Sequence, residues 1–158
     1  MTASAITRPP SLIDPRGPRF GAVITSIVLA SALILGPGSG LVLLIIQTLV
    51  FAAGALLGLR HQPYGWIFRT VVRPRLAPPN ELEDARPPRF AQAVGLGFAV
   101  LGVIGSLSGA PALFYVAVGL ALVAALLNAV FDFCLGCEVY LVGRRVLQGL
   151  RPTPNRVA

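Results

Sequence analysis

The chain has 158 residues, of which 55% are hydrophobic and 12% charged, and its mean hydropathy is +0.78. That balance leaves too little polar surface for a soluble globular domain and points to an integral membrane protein. The net charge of +7 comes from thirteen arginines and no lysine. These flank apolar runs and do not cover a soluble domain, so the partner they indicate is the lipid headgroup layer and not nucleic acid.

The N-terminal stretch MTASAITRPPSLIDPRGPRF mixes Asp14 and prolines with its arginines. No small-residue cleavage site follows the first apolar run at signal-peptide distance, so no cleaved targeting sequence is expected. Four apolar stretches then qualify as spans, at residues 20–35, 41–59, 90–107 and 112–133. The first is short for a hydrocarbon core of roughly 30 Å, which needs about twenty residues, and must borrow flanking residues or sit in thinned lipid. GPGSG at 36–40 and SGAPA at 108–112 join the spans in pairs, and links this short make tight helical hairpins. Neither carries a charge, whereas every arginine lies in the N-terminal tail, in residues 60–89 or after Glu138. The positive-inside bias therefore predicts a multi-pass plasma-membrane protein with both termini and the middle loop cytoplasmic.

Within the spans, Gln47, Gln92 and Asn128 are the strongly polar residues and no ionisable one precedes Asp132, so ion-coupled transport is not expected. Gly54 and Gly58 in the second span, and Gly95, Gly102 and Gly105 in the third, predict close helix packing.

DPRGPRF at 14–20 and DARPPRF at 84–90 match at five of seven positions, and ALLG at 55 and ALLN at 125 keep the same offset of 70. Two matches at one offset predict a duplicated hairpin. Both copies begin on one side of the membrane, so the repeats are parallel, related by a pseudo-two-fold axis along the membrane normal. The expected organisation is a cytoplasmic tail at 1–13, a first hairpin at 14–76, a linker at 77–83, a second hairpin at 84–147 and a tail at 148–158. The predicted fold is thus all-α, four transmembrane helices in two parallel-repeat hairpins, each followed by a cytoplasmic interfacial segment. HQPYGWIFRTVVRPRL, with Tyr64, Trp66 and Phe68 among Arg69, Arg73 and Arg75, is the first such segment, and DFCLGCEVYLVGRRVL is the second. At offset 70, Cys134 stands opposite Tyr64 and Cys137 opposite Ile67.

Cys134 and Cys137 are the only cysteines, in a C-x-x-C that brings two thiols onto one side of a helical turn. Their reactivity depends on the local helix. An unbroken fourth span would leave them at a helix C-terminus as poor thiolates. A span ending near Phe133, with a new helix capped by Asp132, would put them in an activating first turn. Three uses fit the pair: a working dithiol, two inert apolar residues, or half of a metal site. One C-x-x-C supplies two zinc ligands where four are wanted, and His61 is the only histidine. No metal or other cofactor is therefore expected within one chain.

Glu138, adjoining Cys137, is a candidate proton acceptor or an ordinary interfacial carboxylate. Arg144 shares a helical face with Cys137 about two turns on, too far for a direct ion pair. Asp14, Arg16 and Arg19 repeat as Asp84, Arg86 and Arg89. The four arginines read either as an anion or headgroup site on the pseudo-axis or as topology anchors paired with their aspartates.

On DPRGPRF, PYGWIFRTVVRPRL, ELEDARPPRFAQAVGLGF and FCLGCEVYL, from about Asp14 to Leu147, the chain resembles the small actinobacterial membrane proteins of the domain of unknown function 4395 family. The resemblance implies the four-span topology and makes Cys134 and Cys137 family-pattern positions without giving them a role. It also implies thioredoxin-like and sulfurtransferase partners, from the genome organisation of such proteins. The resulting expectation is a membrane-bound thiol protein exchanging disulfide or sulfane sulfur with a cytoplasmic thioredoxin-like or sulfurtransferase partner. The competing reading is a non-catalytic small subunit or assembly factor of a larger membrane complex. The sequence leaves open whether the protein is an enzyme.

Overall fold

The computed structural model of the chain describes residues 12–79 and 81–149. Most of both expected tails, and Asn80 of the expected linker, lie outside the described residues. In order come β1 (Leu12–Ile13), α1 (Arg16–Ser39), α2 (Leu41–Ala52) with a π-helical turn at Ala53–Leu57, and α3 (Pro63–Ile67) with irregular turns to Arg75. They are followed by β2 (Glu83–Asp84), α4 (Arg86–Leu107), α5 (Pro111–Phe131) and α6 (Leu135–Gly149). The fold is all-helical apart from the two short strands.

Local chemistry explains the element boundaries. Asp14 Oδ1 accepts the Arg16 N–H at 3.0 Å, and Asp84 Oδ1 accepts the Arg86 N–H at 2.9 Å, so each aspartate satisfies a free amide where a long helix begins. Gly36, at φ 74°, is in the left-handed region that only glycine adopts freely, and it breaks α1 internally. Pro37, which has no N–H to satisfy, opens the next helical segment. Gly40 N–H donates to the Gly36 carbonyl at 2.8 Å and Leu44 N–H to the Gly40 carbonyl at 3.0 Å. The second apolar helix therefore occupies residues 37–57. It ends at Gly58, which adopts φ 92°. α5 ends at Asp132 in the left-handed conformation, which a short acidic side chain tolerates better than most.

α1, counted over its 24 residues across the break at Gly36, and α4 and α5, with 22 and 21 residues, are each long and apolar enough to cross a membrane, while the apolar stretch Leu41–Leu57 is shorter taken alone. α1 packs against α2 and α5, and α4 against α2 and α5, so α1 and α4 sit on one diagonal of a four-membered bundle. The core gathers Leu29, Leu44, Phe51, Ala99, Phe114 and Val118 from all four helices. Glycine brings α4 close to its neighbours: a Cβ on Gly102 would meet Leu44 and Val118, and one on Gly105 would meet the Phe114 backbone. Such small-residue contacts drive helix association where lipid removes the hydrophobic force between helices. The outer faces are apolar, with Ile34 85%, Leu49 66% and Leu107 72% exposed. Helices of this length bearing this surface are those of a membrane protein.

A polar network crosses this interior. Gln47, fully buried, accepts the Tyr64 O–H at 2.8 Å and donates to Thr25 Oγ1 at 3.3 Å.

Candidate functional site

The start of α1, the end of α2, the start of α4 and the end of α5 meet at one end of the bundle. β1 and β2 pair there antiparallel, Leu12 with Asp84 and Ile13 with Glu83. Arg89 donates through Nε to the Ala55 carbonyl at 2.8 Å and through Nη2 to the Leu56 carbonyl at 2.9 Å. Arg19 donates through Nε to the Ala129 carbonyl at 3.2 Å. Each arginine thus starts one helix and caps the carboxyl end of another, where free carbonyls and the helix dipole favour a cation by about 0.3–1 kcal/mol. His61 Nδ1 stands 2.9 Å from the Leu57 carbonyl, and Arg69 donates to the Leu59 and Arg60 carbonyls at 3.4 and 2.6 Å. Arginine and histidine side chains therefore meet nearly every carbonyl left open between Ala55 and Arg60. The opposite end, at Gly36–Gly40 and Ser108–Ala110, holds no charged residue among the described residues.

The cysteines also lie at the charged end. The helix is broken between Phe131 and Leu135, so Cys134 immediately precedes α6 and Cys137 lies in its first turn. Cys134 and Cys137 close a disulfide with Cα atoms 5.1 Å apart, and the Cys137 N–H points at Cys134 Sγ at 3.4 Å. Of the two arrangements the sequence left open, the helix does break before the cysteines, but Asp132 is not the cap of α6. Its backbone closes α5, and the Cys134 sulfur takes the amide a cap would take. The Asp132 carboxylate instead lies 4.0 Å from Arg19. Glu138 is exposed and donates its N–H to the Cys134 carbonyl at 3.0 Å. The Arg144 guanidinium stands 6.0 Å over the Tyr140 ring and forms no ion pair among the described residues.

α6 rests on α4 through small contacts. A Cβ on Gly136 would lie 2.7 Å from both Cα and Cβ of Ala91, and Tyr140 stacks on Phe90 with ring centroids 5.7 Å apart. α3 repeats this arrangement on α1, where Gly21 faces the Tyr64 Cβ and Phe68 stacks on Phe20 at 5.8 Å. The matching pairs Pro63 and Leu135, Tyr64 and Gly136, and Phe68 and Tyr140 are all 72 residues apart. Cys134 is therefore opposite Gln62, the residue preceding α3, and not opposite Tyr64 as an offset of 70 implied. The difference arises because α5 runs on to Phe131 whereas the helix before α3 ends at Leu57, and the shorter link after α5, 132–134 against 58–62, offsets only part of that extra length.

The four symmetric arginines are not gathered around one point. Arg16 binds Asp14 through Nε and Nη2 at 3.0 and 2.9 Å and also donates to the Ala77 carbonyl. Arg86 binds Asp84 in the same way at 2.7–3.1 Å. Hydrogen bonding from Arg16 and from Arg86 holds the carboxyls of Asp14 and Asp84 below the usual carboxylate range. Arg86 and Arg89 line a cleft of about 640 Å³ together with Arg60, Arg69 and Arg73, while Arg16 and Arg19 do not. The sequence signal for this second set was the run of arginines between residues 60 and 75, read above only as headgroup anchors.

No curated protein and no solved structure matches this chain. A match over residues 13–145 to the family described as Domain of unknown function (DUF4395) covers most of the chain, and the protein belongs to that family.

Proposed function

We propose that this protein is a membrane-anchored thiol–disulfide protein whose Cys134–Cys137 pair exchanges electrons or sulfane sulfur with a cytoplasmic thioredoxin-like or sulfurtransferase partner. The observation that carries this reading is the position of the pair at the amino-terminal start of α6. There the Cys137 N–H and the positive end of the helix favour negative charge on Cys134 Sγ. In the exchange, a partner thiolate attacks one sulfur of the disulfide, the other leaves as thiolate, and a mixed disulfide forms. The partner's second thiolate then attacks that bond, leaving the partner oxidised and both cysteines reduced, with two electrons transferred. The local field favours Cys134 as nucleophile in the reverse reaction and Cys137 as the resolving thiol. In the sulfur branch, the reduced Cys134 thiolate takes the outer sulfur of a persulfide and releases the partner thiolate. Attack by Cys137 on Cys134 Sγ then forms the disulfide and expels hydrosulfide.

The wider architecture belongs to the same proposal: two duplicated hairpins, residues 14–76 and 84–147, forming four spans with both ends on the cytoplasmic face of the plasma membrane. Three features support it. Residues 37–57 form one helix once the break at Gly36 is counted. The strand pairing is symmetric about Ile13 and Glu83, themselves 70 residues apart. All charge among the described residues lies at one end. α6, with Leu135, Val139, Val142 and Val146 exposed along one stripe and Arg144 and Arg145 off it, suits a position in the headgroup layer.

Thiol labelling in native membranes with a mass-tagged maleimide, with and without prior reduction, tests the function. The expected result is two tags after reduction, none after reoxidation with oxidised glutathione, and a stable mixed disulfide with glutathione in Cys137→Ser. Thiols that label only after unfolding, whatever the redox state, would refute exchange and leave the non-catalytic subunit as the reading.

A further inference from the structure

We propose that the cleft at the charged end of the bundle binds a phosphate-bearing anion through Arg60 and Arg73. Its walls come from β1, the start of α1, the link after α2, α3 and the start of α4, and it encloses about 640 Å³. Five arginines line it, against one carboxylate, Asp14. Three of those arginines are engaged by the protein: Arg69 and Arg89 by backbone carbonyls and Arg86 by Asp84. Asp14 is bound by Arg16. No hydrogen bond or ion pair among the described residues engages the guanidinium of Arg60 or of Arg73. The cleft therefore presents two guanidiniums with no hydrogen-bonded partner, Arg73 close enough to Asp14 to act on its carboxyl, and no carboxylate that is not already bound by an arginine. The guanidinium fork matches two oxygens of a phosphate, and the surrounding fixed cations add to the field. Leu12, Leu57, Leu59 and Leu82 also line the cleft, and Leu57, 67% exposed, continues into the apolar belt of the bundle. A phosphate can thus enter as a lipid headgroup, with its chains along that belt, or as a free ion.

The test uses the full chain in nanodiscs of phosphatidylcholine with added phosphatidylglycerol. Lipid retained after detergent extraction is read by native mass spectrometry, and inorganic phosphate binding is read separately by calorimetry. The wild type is expected to retain phosphatidylglycerol over phosphatidylcholine, and R60Q/R73Q to weaken that retention about tenfold, a loss of about 1.4 kcal/mol. R75Q, outside the cleft, is expected to behave as wild type. Displacement of the lipid by inorganic phosphate would show that the phosphate group is what is recognised. Phosphate binding that depends on Arg60 and Arg73, without lipid preference, would assign the cleft to a soluble anion. R60K/R73K keeps the charge without the fork and is expected to fall between wild type and R60Q/R73Q, which also serves if the glutamine variant does not fold. No preference for either probe, or equal loss in R75Q, would overturn the proposal. The outcome is independent of the cysteine chemistry.

Discussion

Gly136→Ala is expected to lift the first turn of α6, with both cysteines, off α4. The added Cβ would lie 2.7 Å from Cα and Cβ of Ala91, about an ångström inside ordinary carbon–carbon contact at roughly 3.5–4.0 Å. One of those atoms is backbone, so no side-chain rotation relieves the overlap. Overpacking of this kind costs about 1–3 kcal/mol. α6 has no fully buried residue, so the strain should appear as local opening of that helix and not as global unfolding. Amide hydrogen exchange over residues 135–140 should then quicken by roughly 5–150-fold, the ratio corresponding to about 1–3 kcal/mol. Ala91→Gly removes one of the two overlapping atoms and is expected to restore part of the protection. Gly143→Ala lies on the same helix with nothing within 4 Å of its would-be Cβ. It should instead slow exchange, since alanine favours a helix interior over glycine by about 0.5–1 kcal/mol. Unchanged or slower exchange in Gly136→Ala would refute the seating of α6 on α4 at that point.

Gln47→Leu removes the acceptor of the Tyr64 hydroxyl inside the bundle, and an orphaned buried hydroxyl costs about 1–3 kcal/mol. Unfolding of the detergent-solubilised protein should show that loss, and Tyr64→Phe on the same background should recover part of it. A strictly additive pair would contradict the network. The Asp14 and Asp84 carboxyls are held below the usual carboxylate range chiefly by side-chain hydrogen bonds from Arg16 and Arg86. Their stabilisation is therefore complete above the unfolded aspartate value of about 3.9 and is lost as pH falls through the lower folded values. Thermal stability should stay flat with respect to these groups from neutral pH to about 5 and fall below about 4. Asp14→Asn should reduce the acid-dependent part of that fall, and an unchanged acid limb would sink the assignment.

By itself the sequence determined the membrane character, the all-helical class and the two Asp-x-Arg starts. These follow from apolar run length, from glycine and proline positions, and from short-range pairing, all of which act within a few residues. An offset of 70 relates DPRGPRF to DARPPRF in the sequence and Ile13 to its strand partner Glu83 in the structure. It does not carry through to the cysteines, because the extra length of α5, which runs on to Phe131, shows only in what α6 rests upon. Asp132 as a cap of α6, one of the two arrangements the sequence left open, is consistent with its residue type. The left-handed turn that closes α5 spends its backbone, and Arg19, 113 positions earlier, takes its carboxylate. The distribution of the arginines lay furthest beyond the sequence. Arg16, Arg19, Arg86 and Arg89 are spent on aspartates and helix-end carbonyls, some across the bundle, whereas Arg60 and Arg73 share a cleft that only tertiary packing assembles. A sequence counts charges, but which of them stay uncommitted depends on which carbonyls and carboxylates the packed helices bring within about 3 Å.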